Sequence, residues 1–324
     1  MDKESLIAAL SPDLKRIEEA LSAVQASQVP FINEVSHYIL FAGGKRLRPL
    51  LTVLCARLCG YEDPKIYDLA VLFEYLHAAT LLHDDVVDGA EFRRGRRAAH
   101  NLWGNQATIL VGDYLYARAL RIAVEKGNFE VLDVVTSTTV LMSEGEVLQL
   151  LNVDNTGLTE AEYEEVIFRK TAALMAAACE CGGIMAGVSP EERKALYEFG
   201  RRLGMAFQIT DDLLDYLGAA EETGKGIGTD FREGKVTLPL LYALNEADDP
   251  DRFRLITLLR DLEPSPETFR EACRIIERWG GFTRARQRAE EEVKGALSAL
   301  SLFPPSSTRK LLEDLTRYLL VRRK

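Results

Sequence analysis

The chain has 324 residues, 47% of them hydrophobic and 28% charged, with a formal net charge of −10. This composition excludes global disorder and supplies ample core, and the length leaves one or two domains open. The acidic balance argues against nucleic-acid binding, which draws on an excess of Lys and Arg.

In chain order, nearly every segment reads as helix. Leu6, Ile7, Leu10 and Leu14 open an amphipathic pattern, and Pro49 stands in the first turn of a run containing Leu50, Leu51, Val53 and Leu54 after GGKRLR. A helical pattern runs from Tyr67 to Asp88. Thr159-Glu160-Ala161-Glu162 and Ser189-Pro190-Glu191-Glu192 read as capping boxes that start helices. Breaks fall at 59–64, 125–128, 153–157, 217–228, 247–250, 279–281 and 303–307, none long enough for a domain linker. The part beyond about Pro250 is rich in charge and poor in motif, as befits supporting helices. Period-2 strand patterns and a β-α-β rhythm are missing, so the expected fold is all-α, a single domain over residues 1–324. The five cysteines, without C-x-x-C spacing, fit reduced thiols. With an acidic start lacking a signal pattern and no apolar run of membrane-span length, the expectation is a cytoplasmic protein.

The segment LLHDDVVDGAEFRRGRR (81–97) sets acids and bases among leucines and valines. On a helix Asp84 and Asp88 share a face one turn apart, with Asp85 to the side. Like charges at that spacing destabilise a helix, and a hard divalent cation between them reverses the cost. The alternative is a solvated acidic helix end. Residues 208–216, QITDDLLDY, repeat the D-D-x-x-D spacing with Asp211, Asp212 and Asp215, after a stripe of Gly200, Gly204 and Gln208 that allows close helix approach. Two such helices facing one another would make an oxygen-lined site for several cations. Basic residues gather beside the acids: Lys45 and Arg48 in GGKRLRP, Arg93 and Arg94 after the first motif, Lys170 with Thr171 in FRKTA, and Lys225 and Lys235 flanking GKGIGTDFREGKVTLPL. Singly each is a surface charge; together they suit a pyrophosphate.

The ordered set GGKRLRP, LLHDDVVD with RRG, RKTA, QITDDLLDY and EGKVTLPLL resembles the signature motifs of the trans-isoprenyl diphosphate synthases, the head-to-tail polyprenyl synthetases. The resemblance is strongest to the long-chain bacterial members that make octaprenyl products. It implies that Asp84, Asp85 and Asp88, and Asp211 with Asp212 and Asp215, hold Mg²⁺, three ions per site in the family, against the diphosphate of an allylic substrate. It further assigns Arg93, Lys170, Thr171, Gln208, Lys225 and Lys235 to the allylic diphosphate, and Lys45, Arg48, His77 and Arg94 to isopentenyl diphosphate. Catalysis would fall to the aspartates with Arg93 and Lys170. Ala79 and Thr80, just over a turn before Asp84, would set product length: small side chains leave the tunnel open until a deeper wall near Tyr75, Leu76 or Leu141-Met142, giving a product of the C40 class. A homodimer, with at most peripheral membrane contact for product release, is the family expectation.

The chain departs from the family at GKGIGTD, with Gly226 where Asn is common and Thr229 in place of the first Asp of a pair, while Asp230 remains. His83 and His100 receive no role. A class I terpene cyclase, a non-catalytic synthase subunit and a shorter-chain synthase stay open as alternatives. The aspartate-rich second motif and the Lys45/Arg48 set weigh against the first, and complete aspartate motifs against the second.

Overall fold

The computed structural model describes residues 2–23, 27–218, 228–261 and 265–321. Among the described residues it is all-helical but for one small hairpin, as the periodicity predicts. The expected breaks separate the helices Leu47–Leu58 and Lys65–Ala70, Asn105–Lys126 and Phe129–Leu151, Leu238–Glu246 and Asp249–Leu259, and Pro266–Arg278 and Gly281–Leu300. Both capping boxes form. Glu162 N–H donates to Thr159 Oγ1 at 3.3 Å and Thr159 N–H to Glu162 Oε2 at 2.8 Å, and Ser189 and Glu192 repeat the exchange at 3.3 and 2.9 Å. The second box opens the long helix Pro190–Leu217.

The chain divides into two compact units. The first comprises Met1–Thr138, Leu174–Gly200 and Leu300–Leu315; the second comprises Thr139–Ala173, Arg201–Ala299 and Thr316–Lys324. In the first, helix Leu72–Val87 packs along Asn105–Lys126, and Leu51, Leu54, Leu72, Leu76, Leu82 and Leu115 are fully buried. The continuous helix expected from Tyr67 to Asp88 is interrupted at Val71, which separates Lys65–Ala70 from Leu72–Val87. Asp88 is the C-cap of the latter, and Gly89 at φ 62° supplies the left-handed residue that ends it. The second unit is built on Ile209, Leu213, Tyr216, Phe231, Leu240, Ile276 and Phe282, all buried in one cluster.

Two local features escaped the periodic reading. Phe92–Arg93 pairs antiparallel with Arg96–Arg97, closed by Arg94 and Gly95 at φ 52° and 74°, the left-handed pair that a tight two-residue hairpin turn demands. Phe168–Ala172 forms one π-helical turn between Glu160–Ile167 and Ala173–Ala186, a deviation common at functional sites. It sits where a neighbouring helix comes very close: a Cβ on Gly145 would lie 2.8 Å from the backbone N of Lys170.

Candidate active site

In the first unit the site is built on the end of helix Leu72–Val87 and the segments beside it. Asp88 N–H bonds to the Asp84 carbonyl at 2.8 Å, so these carboxylates stand one turn apart, Asp84 half-buried and Asp88 exposed. Asp85 points the other way and is fully buried. Arg93 donates through Nε to its Oδ1 at 2.7 Å, and a second guanidinium nitrogen contacts the same oxygen. Asp85 Oδ2 is buried with no hydrogen-bond partner. The Asp85–Arg93 pair therefore ties the arginine hairpin to the helix end.

GGKRLRP divides its labour. Arg46, at φ 49° and 4% exposed, turns inward: Nε bonds Glu18 Oε1 at 2.6 Å, Nη1 bonds Glu74 Oε1 at 2.7 Å and Nη2 bonds the Leu40 carbonyl at 2.6 Å. Burial opposes its charge, but Glu18 and Glu74 outweigh that and raise its pKa. With Arg46 anchored, Lys45 is exposed and Arg48 half-buried on either side of it. Arg94 donates to the Gly43 carbonyl, bringing the hairpin to this loop. His77 lies among these charges. Burial first, then Arg48, Arg94, Arg93 and Arg46, push its pKa well below the usual imidazole value, so it is neutral at pH 7. One unit thus brings together Lys45, Arg48, His77 and Arg94 with the first aspartate set. Ala79 is 1% exposed, and Thr80 Oγ1 donates to the His77 carbonyl at 3.0 Å. His83, given no role, packs its ring on Gly112, with Nε2 3.2 Å from the Ile109 carbonyl.

In the second unit Asp211 is exposed and Asp212 buried. Gln208 Nε2 donates to Asp212 Oδ1 at 2.8 Å, Tyr163 Oη donates to Oδ2 at 2.6 Å, and Thr171 Oγ1 donates to Gln208 Oε1 at 2.8 Å. Burial, aided by the nearby Asp230 charge, pushes the Asp212 pKa up to about 8, against the pull of the two hydrogen bonds. Asp215 does something else: its carboxylate accepts the backbone N–H groups of Thr229 and Asp230 at 3.2 and 3.1 Å, fixing the start of the short helix Thr229–Arg232. Lys170 reaches Glu146 at 2.7 Å, and Lys235 reaches Glu233 at 2.6 Å. Lys225 and Gly226 lie outside the described residues.

Among the described residues no three His, Cys, Asp or Glu side chains gather closely enough to hold an ion by themselves. The donors offered are carboxylates alone, one with an unbonded buried oxygen at Asp85, and such hard oxygens suit Mg²⁺, which leaves positions for water and substrate phosphate. The residues present fit that ion.

The known proteins decide the family. A polyprenyl synthetase profile matches residues 29–276. The chain belongs to the polyprenyl synthetase family. It is 41% identical to the octaprenyl diphosphate synthase of Escherichia coli over 96% of each chain, and 37% identical to a short chain isoprenyl diphosphate synthase of Methanothermobacter thermautotrophicus over 95% of this chain and 94% of that one. Among solved structures, the Caulobacter crescentus polyprenyl synthase complexed with calcium and isoprenyl diphosphate superposes with a TM-score of 0.93 at 40% identity, covering 99% of this chain and 98% of that one. The synthetase is therefore a prenyltransferase, a trans-prenyl diphosphate synthase close to octaprenyl synthases.

Sequence reasoning passed over Arg46, Glu74, Glu146 and Tyr163. Arg46 shares its motif with Lys45 and Arg48, and nothing in the string KRLR says which cation turns inward. Tyr163 stands in a helical stripe as any core tyrosine would; its signal is the hydroxyl of a buried Tyr, which needs a partner.

Proposed function

We propose that this synthetase condenses an allylic diphosphate, such as farnesyl diphosphate, with successive isopentenyl diphosphates into an all-trans polyprenyl diphosphate of the octaprenyl, C40 class. The observation that carries this reading is the clustering of Arg48 and Arg94 around a neutral His77, with Arg94 bonded to the Gly43 carbonyl of the loop that bears Lys45, in the unit that also bears Asp84 and Asp88. A cyclase has no use for a second diphosphate-binding set of cations, whereas a condensing enzyme needs one for isopentenyl diphosphate. The length assignment follows the likeness to the E. coli octaprenyl synthase and the small side chains at Ala79 and Thr80.

Asp84, Asp88 and Asp211, with Asp212 and Asp215 behind them, serve as the magnesium-binding carboxylates for an expected three ions, while Asp85 holds Arg93 in place beside them. Magnesium held there would supply charge stabilisation to the diphosphate leaving group. Arg93, Lys170, Lys225 and Lys235 neutralise the diphosphate as the allylic C–O bond breaks. Thr171 and Gln208 orient it. Lys45, Arg48, Arg94 and the neutral His77 hold isopentenyl diphosphate so that its double bond meets the allylic cation, and the proton then lost passes to the released diphosphate. Leucines and valines beside the aspartates keep water from the cation. No nucleophilic side chain is needed.

The working form is a homodimer. Helix Asn105–Lys126 exposes Ile109, Leu110 and Val124, Leu110 by 66%, an apolar face suited to a second copy. Among the described residues no helix is long and apolar enough to cross a membrane.

Incubation with farnesyl diphosphate, labelled isopentenyl diphosphate and Mg²⁺, followed by product sizing, is the direct test. Chains near C40 are expected, chelation should abolish them, and Asp84→Ala or Asp211→Ala should lower turnover by about 10²-fold or more with helical content intact. Products ending at C20 would overturn the length assignment; near-normal turnover in either variant would remove that aspartate from its role.

A further inference from the structure

We infer that Tyr163, a residue outside the signature motifs, is a positioning residue of the second aspartate motif, its hydroxyl fixing the Asp212 carboxylate for binding of a metal-bound diphosphate. The inference rests on the proposed metal role of that motif. Tyr163 is 4% exposed on helix Glu160–Ile167, whose start is pinned by the Thr159–Glu162 capping box. Its Oη donates to Asp212 Oδ2 at 2.6 Å, and Gln208, one helical turn before Asp212, donates to Oδ1 at 2.8 Å.

The chain of bonds has one consistent direction. Gln208 Oε1 accepts from Thr171 Oγ1 at 2.8 Å, so turning the Gln208 amide over would set its oxygen against the Asp212 carboxylate, acceptor against acceptor. Tyr163 and Gln208 thus clamp both oxygens of Asp212, and Thr171 clamps Gln208.

The choice of donors carries the argument. Burying a carboxylate costs several kcal/mol unless a cation or a strong set of donors compensates. Asp85, in the other motif, is neutralised by Arg93. Asp212 is served by a phenol and an amide, both neutral, and among the described residues no Lys or Arg forms an ion pair with it. A purely structural contact would be as well made by Asn or by an apolar pair. A carboxyl held rigidly by neutral donors has no protein cation beside it, so both its oxygens are set in place for a cation that arrives with the substrate.

Tyr163→Phe removes the hydroxyl and keeps the ring that fills the core. The probe is inorganic pyrophosphate, titrated calorimetrically into the full-length protein with and without Mg²⁺, alongside Asp212→Asn and the double variant. The expected results are a tenfold or greater weakening of Mg²⁺-dependent pyrophosphate binding in Tyr163→Phe, a metal-free thermal midpoint within a few degrees of wild type, and no further weakening when Tyr163→Phe is added to Asp212→Asn. Binding within twofold of wild type, or an equal loss in the Asp212→Asn background, would overturn the inference. So would a Tyr163→Phe chain that circular dichroism shows to be unfolded, since the hydroxyl would then serve the fold. A wild-type protein that binds pyrophosphate equally well without Mg²⁺ would instead sink the metal role itself, and this inference with it.

Discussion

Arg46 offers a sharp test of how the GGKRLRP loop, proposed to hold isopentenyl diphosphate, is itself held. Arg46→Met keeps an unbranched apolar stem and removes four bonds, those to Glu18 Oε1, Glu74 and the Leu40 carbonyl at 2.6 to 2.7 Å and a longer one to Glu18 Oε2 at 3.4 Å. The two carboxylates do not suffer equally. The Glu18 side chain is 43% exposed and returns to water, worth about 1 kcal/mol at most. The Glu74 side chain, 7% exposed, keeps a buried charge without its cation, a loss of about 3–5 kcal/mol. Urea unfolding should show Arg46→Met destabilised by that amount, and Glu74→Gln added to it should recover more than half, because the amide needs no counter-charge. The exposed Lys45 makes the contrast: Lys45→Ala should leave the urea midpoint unchanged and raise the apparent KM for isopentenyl diphosphate. An Arg46→Met protein within 1 kcal/mol of wild type, or one that Glu74→Gln fails to rescue, would show that the buried pair does not hold the loop.

The other expectations are briefer. His77 titrates below its ordinary value of 6.5 in the folded protein, so as pH falls through 6.5 the unfolded chain gains the proton first and stability drops; urea melts at pH 5.5 and 7.5 should show a larger loss for wild type than for His77→Gln. Gly145→Ala places a Cβ 2.8 Å from the Lys170 backbone N and should cost about 1–3 kcal/mol in thermal unfolding while raising the allylic KM, because the π-helical turn must move. Ala79→Tyr should shorten products to about C15–C20 with a similar stability loss, since Ala79 is 1% exposed and the ring must displace neighbours; a folded, active variant that still makes full-length chains would refute a tunnel past this residue.

Much of this was legible before any coordinates. The breaks at Gly, Pro and Asp clusters, the two capping boxes and the Gly204 contact, where a Cβ would meet Ala172 Cα at 2.5 Å, all follow from local chemistry that a sequence states openly. What stayed hidden depends on partners distant in sequence. The inward turn of Arg46 is decided by Glu18 and Glu74, each 28 residues away, and the Tyr163 bond joins residues 49 apart. The break at Val71 has no Gly or Pro to announce it. The Arg94-Gly95 turn was readable only as a weak signal, because Arg seldom takes positive φ.

The two D-D-x-x-D motifs share a logic that follows from helix geometry. Neighbouring residues on a helix point about 100° apart, so an adjacent aspartate pair on a half-buried helix cannot keep both carboxylates in solvent. In each motif the second aspartate turns inward: Asp85 is fully buried and Asp212 is 3% exposed, while Asp84 is half-buried and Asp211 exposed. The inward member needs its charge managed by the protein, by a guanidinium at Asp85 and by neutral donors at Asp212. The outward member keeps access to a cation from solvent. The third aspartates then diverge, because Asp88 caps the end of its helix and is exposed, whereas Asp215 lies within its helix and accepts the N–H groups of Thr229 and Asp230. Equal spacing in the sequence therefore does not mean equal chemistry: the first motif has two outward carboxylates one turn apart, and the second has one, with its third aspartate committed to holding the segment that follows.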